Sequence, residues 1–343
     1  HASIAGKIAK IEKLTHPTGA QSLSIVIEAG GEAPVTMRCE LPVSPESAAP
    51  DDIRKAIREA GIVGLGGAAF PAHVKLNPPK EKKIDTVIIN GCECEPFITI
   101  DHRLMLERTT DLLFGARLVA RAVGAGRLVF GIEENKPDAI AKIRAELGSL
   151  QIGLQTEVVP LKAKYPQGGE KMLIKSILNR EVPPKGGLPM DVGVVVHNVG
   201  TTIAIADAVR FGTPLIRRAV TVTGSAVREP KNLIVRIGTL FEDIIQFCGG
   251  LTDDVAKVVM GGPMTGFAVS SLDVPVVKGT SCILALNRKD AQSFEEGDCI
   301  LCGRCIRACP MGLMPNYMAA YTKRKNWDKV KEYHVTDCFE CGC

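Results

Sequence analysis

Unbroken apolar runs alternate with amphipathic stretches through the middle of the chain. Asp85-Thr86-Val87-Ile88-Ile89-Asn90, Arg127-Leu128-Val129-Phe130-Gly131-Ile132 and Thr156-Glu157-Val158-Val159-Pro160 are short, rich in β-branched residues and bounded by turn residues. Such runs read as strands buried on both faces. Between them the spacing is helical. Leu104, Leu112, Leu113, Ala116, Val119 and Val123 share one side of a single helix expected from Asp101 to about Val123, with Asp101 able to cap it, and Pro137 opens another helix to Leu147. A shorter helix is expected over Ile53–Ala60, where Asp51 and Asp52 suit the positive end of the helix dipole. A helix over Met172–Leu178, a strand over Val192–Val196 and a helix to about Val209 complete the series. Strands alternating with helices at these lengths predict an α/β fold with a parallel sheet. Ligands in such sheets sit beyond the carboxyl ends of the strands, where Asn90–Glu95 falls.

The pattern changes on either side of this block. Lys7–Ile11 and Ser22–Glu28 read as short strands with Gly30-Gly31 as a turn, and 42–50 reads as a Pro, Ser and Ala linker. From Ala219, strands at 219–223, 233–237 and 255–260 and a helix from Leu240 to Cys248, stopped by Gly249-Gly250, predict a small mixed α+β domain. Val274–Leu286 adds extended segments, and a helical, cysteine-bearing region follows Ser293. The expected division is a β remnant over 1–45, an α/β domain over 46–215, the small domain over 216–275 and the cysteine region over 276–343.

The cysteines bring in chemistry. Cys299, Cys302, Cys305 and Cys309-Pro310 have the bacterial ferredoxin spacing, and Cys338 and Cys341 start a second run. Soft thiolates at this density suit iron–sulfur clusters. In two-cluster ferredoxins the fourth cysteine of each run serves the other cluster. Cys299, Cys302 and Cys305 are therefore expected on one 4Fe–4S cluster, and Cys309 with Cys338 and Cys341 on a second. Cys343 stands at the wrong spacing for a third ligand but is able to substitute. A zinc ribbon is the alternative, but it wants two C-x2-C pairs roughly 15–20 residues apart, and Cys305 and Cys338 are further apart than that. Cys39, Cys92, Cys94, Cys248 and Cys282 form no disulfide framework, which fits a reducing compartment, and Cys92 and Cys94 read as small buried residues. A net charge of +4 on scattered cations argues against nucleic acid as the main partner. No apolar run reaches the roughly 18 residues of a membrane span. The chain opens with neither a methionine nor a leader-like stretch, and it is expected to be a fragment truncated at both ends.

Four polar, glycine-bearing segments fall at element junctions, at 61–71, 90–95, 165–171 and 197–202. The first carries Gly61, Gly64, Gly66 and Gly67, whose bare backbone lets N–H groups approach a phosphate. It follows a helix rather than a strand, so it lacks the dinucleotide fingerprint, and by itself it reads equally as an ordinary turn. Glu93 and Glu95 are by themselves either site acids or solvated strand ends, and Lys75 and Lys185 read as surface charges. His73, His102 and His197 lack metal-ligand spacing.

Taken together, Gly64-Leu65-Gly66-Gly67-Ala68-Ala69-Phe70-Pro71, Asn90-Gly91-Cys92-Glu93-Cys94-Glu95-Pro96 and the ferredoxin run resemble the C subunit of the Rnf complex, along essentially the whole chain. That complex is a membrane-associated ferredoxin:NAD oxidoreductase. The α/β block is also similar to the NADH-oxidising subunit of respiratory complex I. The resemblance implies a Rossmann-like FMN/NAD domain, a β-grasp (soluble-ligand-binding) domain over 219–269, often only a spacer, and a helical ferredoxin-type region, with part of a β-rich domain at the N-terminus. It implies an enzyme subunit with non-covalent FMN, two 4Fe–4S clusters and NAD(H) as substrate. Its partners would be the other subunits of a membrane electron transport complex, which translocate ions, and ferredoxin indirectly; its place would be peripheral, at the cytoplasmic face of the cell membrane.

The same resemblance assigns residues. Gly64, Gly66, Gly67, Ala68, Phe70 and Lys75 would form the FMN loop, with the Lys75 ammonium facing phosphate. Asn90 and Glu93 would hold ribityl and ring, Glu95 would lie by the nicotinamide, Tyr165, Gly168 and Glu170 would supply the next segment, and Asn198 and Thr201 the last. Phe70 would stack on nicotinamide or adenine, and Lys185 would approach an NAD phosphate. No general base is required; Glu95 and Glu170 are positioning groups. Leu65, Cys92, Gly169 and His197 stand where complex I has arginine, aspartate, glutamate and asparagine, departures that bear most on NAD. In the family a β-rich region precedes what is His1 here and the second cysteine run is completed. Two other readings are a soluble Rnf-like electron-transfer subunit of a reductase, such as proline reductase, and a cluster-bearing adaptor that binds no nucleotide.

Overall fold

The computed structural model describes residues 1–30, 47–149, 154–292 and 294–343. Cys39, Gly31 and residues 42–46 of the expected linker lie outside the described residues. At the N-terminus, β1 (Gly6–Thr15) and β2 (Gln21–Ala29) form an antiparallel hairpin.

The α/β block runs α1 (Pro50–Glu59), α2 (Ala72–Lys75), β3 (Thr86–Gly91), α3 (Ile100–Glu107), α4 (Thr109–Val123), β4 (Arg127–Glu133), α5 (Pro137–Ser149), β5 (Gln155–Leu161), α6 (Glu170–Leu178), β6 (Val194–Asn198) and α7 (Val199–Phe211). Its four strands are all parallel, in the order β5-β4-β3-β6. Both faces of β3, β4 and β6 are covered, which is why those strand sequences are largely apolar, whereas the edge strand β5 is half-buried and opens with Gln155-Thr156-Glu157. Val87 and Ile89 point into a core with Ile53, Leu112, Leu113 and Ile203, while Ile88 points into a second core with Val129, Leu173, Ile174 and Val194. Each such fully buried side chain contributes about 1.5–3 kcal/mol.

The single helix expected from Asp101 to Val123 is two. The chain leaves helical geometry at Arg108 (φ −126°, ψ 33°). The Thr109 hydroxyl bonds back to the Met105 carbonyl at 2.6 Å, a contact that bends helices, and the Arg108 guanidinium reaches Asp111 at 2.6 Å and Asp207 at 2.8 Å. Apolar periodicity runs through this break because both pieces pack on the same sheet.

The second sheet contains β7 (Arg217–Thr223), β8 (Lys231–Arg236), β9 (Val255–Met260), β10 (Phe267–Ala268) and β11 (Cys282–Asn287), in the order β10-β9-β11-β7-β8. β11 runs parallel to β7, and the other pairs are antiparallel. α8 (Phe241–Phe247) buries Phe241, Ile244 and Ile245 on one face. β11 lies in the middle of the sheet, so the sheet takes in residues beyond 275. The opposite face, with Cys282, Leu284 and Leu286, receives Ile98 from the α/β block. Across this junction Thr99 N–H donates to Thr221 Oγ1 at 3.2 Å, Asn232 Nδ2 to Thr99 Oγ1 at 2.9 Å and Lys278 Nζ to the Gly61 carbonyl at 2.6 Å.

The cysteine region carries short helices α9 (Arg304–Ala308), α10 (Pro315–Lys323) and α11 (Trp327–Glu332). Tyr317 and Tyr321 stack on Tyr333 with ring centroids 5.4 and 5.6 Å away. Among the described residues no helix is long and apolar enough to cross a membrane.

Candidate functional site

Strand order reverses beside β3. β4 and β5 extend to one side of it and β6 lies on the other, so the crevice at the carboxyl ends of β3 and β6 is the topological switch point. A cavity of about 550 Å³ opens there. Its lining includes Gly66, Ala68, Asn90, Glu93, Glu95, Tyr165, Gly168, Glu170 and Asn198. That volume lies within the range of cofactor pockets.

The glycine-rich loop forms one wall. Gly64 N–H donates to the Phe70 carbonyl at 2.8 Å and closes the loop; Gly67, at φ 118°, needs the freedom of glycine. Two buried side chains hold the loop from beneath. Thr201 Oγ1 accepts from Leu65 N–H at 2.8 Å, and Arg218 Nη2 donates to the Leu65 carbonyl at 3.1 Å. Pinned in this way, the loop leaves the N–H groups of Gly66, Gly67 and Ala68 without hydrogen-bond partners among the described residues. Three successive free amides beside a cavity fit an anionic phosphate.

The end of β3 forms the floor. Asn90 Nδ2 donates to the Gly168 carbonyl at 2.8 Å, and its Oδ1 accepts from Cys92 N–H at 3.0 Å. Gly168 lies so close to the Cys92 carbonyl that a Cβ there has no room, and its N–H donates to Cys94 Sγ at 3.2 Å. Lys75 pairs with Glu170, so neither is a free charge. Asn198 caps α7 by accepting from Thr201 N–H at 3.2 Å and donates to Asp101 Oδ2 at 2.6 Å. Glu95 reaches out of the α/β block and accepts from Met264 N–H at 2.8 Å.

Glu93 turns inward and accepts from the N–H groups of Asp101 (2.7 Å) and His102 (3.2 Å) at the start of α3. Burial, with the Asp101 charge adding to it, pushes the Glu93 pKa up to about 8. Burial likewise raises Asp101 to about 6, against the Asn198 hydrogen bond and the Arg218 charge. From its ordinary value of 4.5 to about 8, the unfolded chain has released the Glu93 proton while the folded chain holds it, so stability falls as pH rises through this window. Glu93→Gln keeps an acceptor for the Asp101 amide and is expected to flatten that fall. Urea midpoints at about pH 5 and about pH 8 check it; an equal drop in wild type and variant would assign the slope elsewhere.

Several expected residues stand apart from the cavity lining. Phe70 is exposed at the outer edge of the loop. Lys185 is exposed, and its backbone N–H donates to Asp337 Oδ1 at 2.6 Å. His197 is 4% exposed, its Nε2 has no partner among the described residues, and burial, helped by Lys75, pulls its pKa down to about 3, so the ring is neutral.

Arg218 also belongs to the site, though nothing in its local sequence marks it out. It is 5% exposed, burial pulls its pKa down to about 10 against the Asp101 charge, and it donates to the carbonyls of Leu65, Lys278 and Ala219. Only its place in β7, two residues before the buried Val220, puts it on the same face. Thr265 and Ser281, likewise unmarked, bring the second sheet to the cavity.

The cysteine region closes the far side. The Tyr165 hydroxyl donates to the Cys341 carbonyl, Phe339 packs on Gly169, and both Phe339 and Cys341 line the cavity. The two cysteine runs share a backbone conformation. Leu301 (φ 55°) and Gly303 (φ 70°) flank Cys302, as Glu340 (φ 56°) and Gly342 (φ 76°) flank Cys341. Amides turn toward sulfur, from Glu340 to Cys338 Sγ and from Leu313 to Cys309 Sγ, both at 3.4 Å. Cys343 lies against Cys341. Among the described residues no three His, Cys, Asp or Glu side chains are gathered around a single-ion site. The free thiols, the repeated turns and the amide–sulfur bonds fit iron–sulfur ligation.

A glycine loop at a parallel-sheet switch point, a β-grasp-like sheet and a thiol-rich tail against the same cavity define a flavin- and iron–sulfur-binding electron-transfer protein. The chain matches the Nuo51 FMN-binding domain over residues 57–207, the SLBB domain over 219–268 and the 4Fe-4S binding domain over 293–313. It is 46% identical to the C subunit of the proton-translocating ferredoxin:NAD(+) oxidoreductase complex of Clostridium ljungdahlii, over 98% of this chain and 73% of that protein. It is 43% identical to the C subunit of the Na(+)-translocating complex of Acetobacterium woodii, over 98% of this chain and 75% of that one. An NAD+-reducing NiFe hydrogenase in its H2-reduced state shares the fold, with a TM-score of 0.62 at 22% identity over 72% of this chain and 48% of its own. The chain belongs to the C-subunit family of ion-translocating ferredoxin:NAD(+) oxidoreductase complexes.

Proposed function

We propose that this chain carries electrons between NADH and ferredoxin as the NAD-reacting subunit of a membrane electron transport complex, peripheral and at the cytoplasmic face, while other subunits move ions. One observation carries the reading: a single cavity is walled by the free amides of the glycine loop, the acids after β3 and the Phe339–Cys341 segment. A nucleotide-free adaptor has no use for such a cavity.

The amides of Gly66, Gly67 and Ala68 hold the FMN phosphate, with Lys75 behind them held by Glu170. Asn90 and Gly168 shape the cleft for ribityl and ring, and Asn198 and Thr201 fix the loop that faces them. Glu95 orients the nicotinamide. Cys299, Cys302 and Cys305 hold one 4Fe–4S cluster; Cys309, Cys338 and Cys341 hold the other, with Cys343 in reserve. When bound, FMN would supply hydride acceptance from NADH and single-electron transfer onward to the clusters. The chain's own part is position and electrostatics. We assign residues 1–45 to a β remnant, 46–215 to flavin and dinucleotide binding, 216–275 together with the central strand β11 to the β-grasp domain, and the rest of 276–343 to cluster binding.

Anaerobically purified full-length protein is expected to release stoichiometric FMN on acid extraction, and NADH is expected to bleach its flavin absorbance. Protein without FMN, or flavin that NADH leaves oxidised, would overturn the reading.

A further inference from the structure

The turn between β9 and β10 is built around Glu95. Its ends are fixed: Gly261 N–H donates to the Cys282 carbonyl at 2.8 Å and Gly266 N–H to the Gly262 carbonyl at 3.0 Å. Glu95 Oε1 accepts from Met264 N–H at 2.8 Å and Thr265 N–H at 3.2 Å, and Oε2 accepts from the Thr265 hydroxyl at 3.2 Å. A free glutamate samples many rotamers; three donors on a fixed turn select one.

Gly262 completes the seat. A Cβ added there would overlap the Cγ, Cδ and Oε1 atoms of Glu95, its three nearest neighbours. Its backbone lies outside the left-handed region, so alanine is excluded by the glutamate and not by the chain's own conformation. On the other side of the turn, Gly342 packs so closely on the Met264 carbonyl that it too has no room for a Cβ. Thr265 lines the flavin cavity itself.

We infer that the Gly261–Gly266 turn of the β-grasp domain is a positioning element of the oxidoreductase site, holding the Glu95 carboxylate where the dinucleotide meets it. This rests on the proposed place of Glu95 beside the nicotinamide. It gives the β-grasp domain a task in catalysis beyond spacing its neighbours apart.

Gly262→Ala displaces Glu95 and leaves its chemistry intact, so the pair forms a double-mutant cycle. In the full-length protein within its complex, the KM for NADH in ferricyanide reduction is expected to rise about tenfold in Gly262→Ala, because displacing a positioning group by about 1 Å is costly. Acid-extractable FMN should stay at the wild-type level. In a Glu95→Ala background, where nothing occupies the space, Gly262→Ala is expected to change the KM by less than about twofold. If Gly262→Ala does not fold, Thr265→Val replaces it in the cycle, with an expected rise of about two- to threefold from the loss of one donor. An equal effect in both backgrounds, or none in the wild type, overturns the inference while leaving the proposed function in place. If Glu95→Ala alone changes neither kcat nor KM, the assignment of Glu95 to the nicotinamide fails, and the inference fails with it.

Discussion

Arg218→Met is expected to destabilise the chain by about 3–5 kcal/mol and to weaken FMN retention. The guanidinium is buried and donates to the carbonyls of Leu65, Lys278 and Ala219. Methionine fills much of the volume but donates to none of them, and each unpaired buried acceptor costs about 1–3 kcal/mol. The loss also removes the cation that opposes the burial of Asp101. The Asp101 pKa then rises further above its ordinary 3.8, so the pH window in which stability falls with rising pH extends upward. Urea unfolding at several pH values and an FMN titration check both parts. A loss below about 1 kcal/mol would show that the charge is dispensable.

Cys309→Ala is expected to abolish the same cluster signal in electron paramagnetic resonance as Cys341→Ala and to spare the one lost in Cys299→Ala. Cys309 is in sequence with the first run, but in two-cluster ferredoxins the fourth cysteine of a run serves the other cluster. Either variant should stop electron transfer beyond the flavin while NADH still bleaches the flavin, because the flavin cavity draws only a carbonyl and a wall from this segment. Loss of the Cys299 signal in Cys309→Ala would instead place all four cysteines of the first run on one cluster.

These two residues mark the limits of what the sequence made legible. β3 and β4 could be read because burial on both faces leaves an unbroken apolar signature, and the cysteine spacing is itself a ligand pattern. The acids after β3 could be placed because ligands gather at strand ends. Arg218 was hidden because Arg217-Arg218 looks like a surface pair; its partner Leu65 is 153 positions away. The place of Glu95 at the end of β3, on the cavity, was legible, but not its seat, since Met264 lies 169 positions further on. Contacts of that reach leave no local periodicity. The break at Arg108 and the central place of β11 were hidden for the same reason: both depend on what packs against the segment.

The hydrogen bonds that join Thr99 to Thr221 and Asn232, with Lys278 on the Gly61 carbonyl, bear on how the molecule comes apart. The two sheets have separate cores, yet each closes polar groups that the other would otherwise expose. Opening either unit alone would break these bonds, which adds to the cost of local opening at the junction. The Gly61 carbonyl at the head of the glycine loop is thereby tied to both cores and not to its own alone.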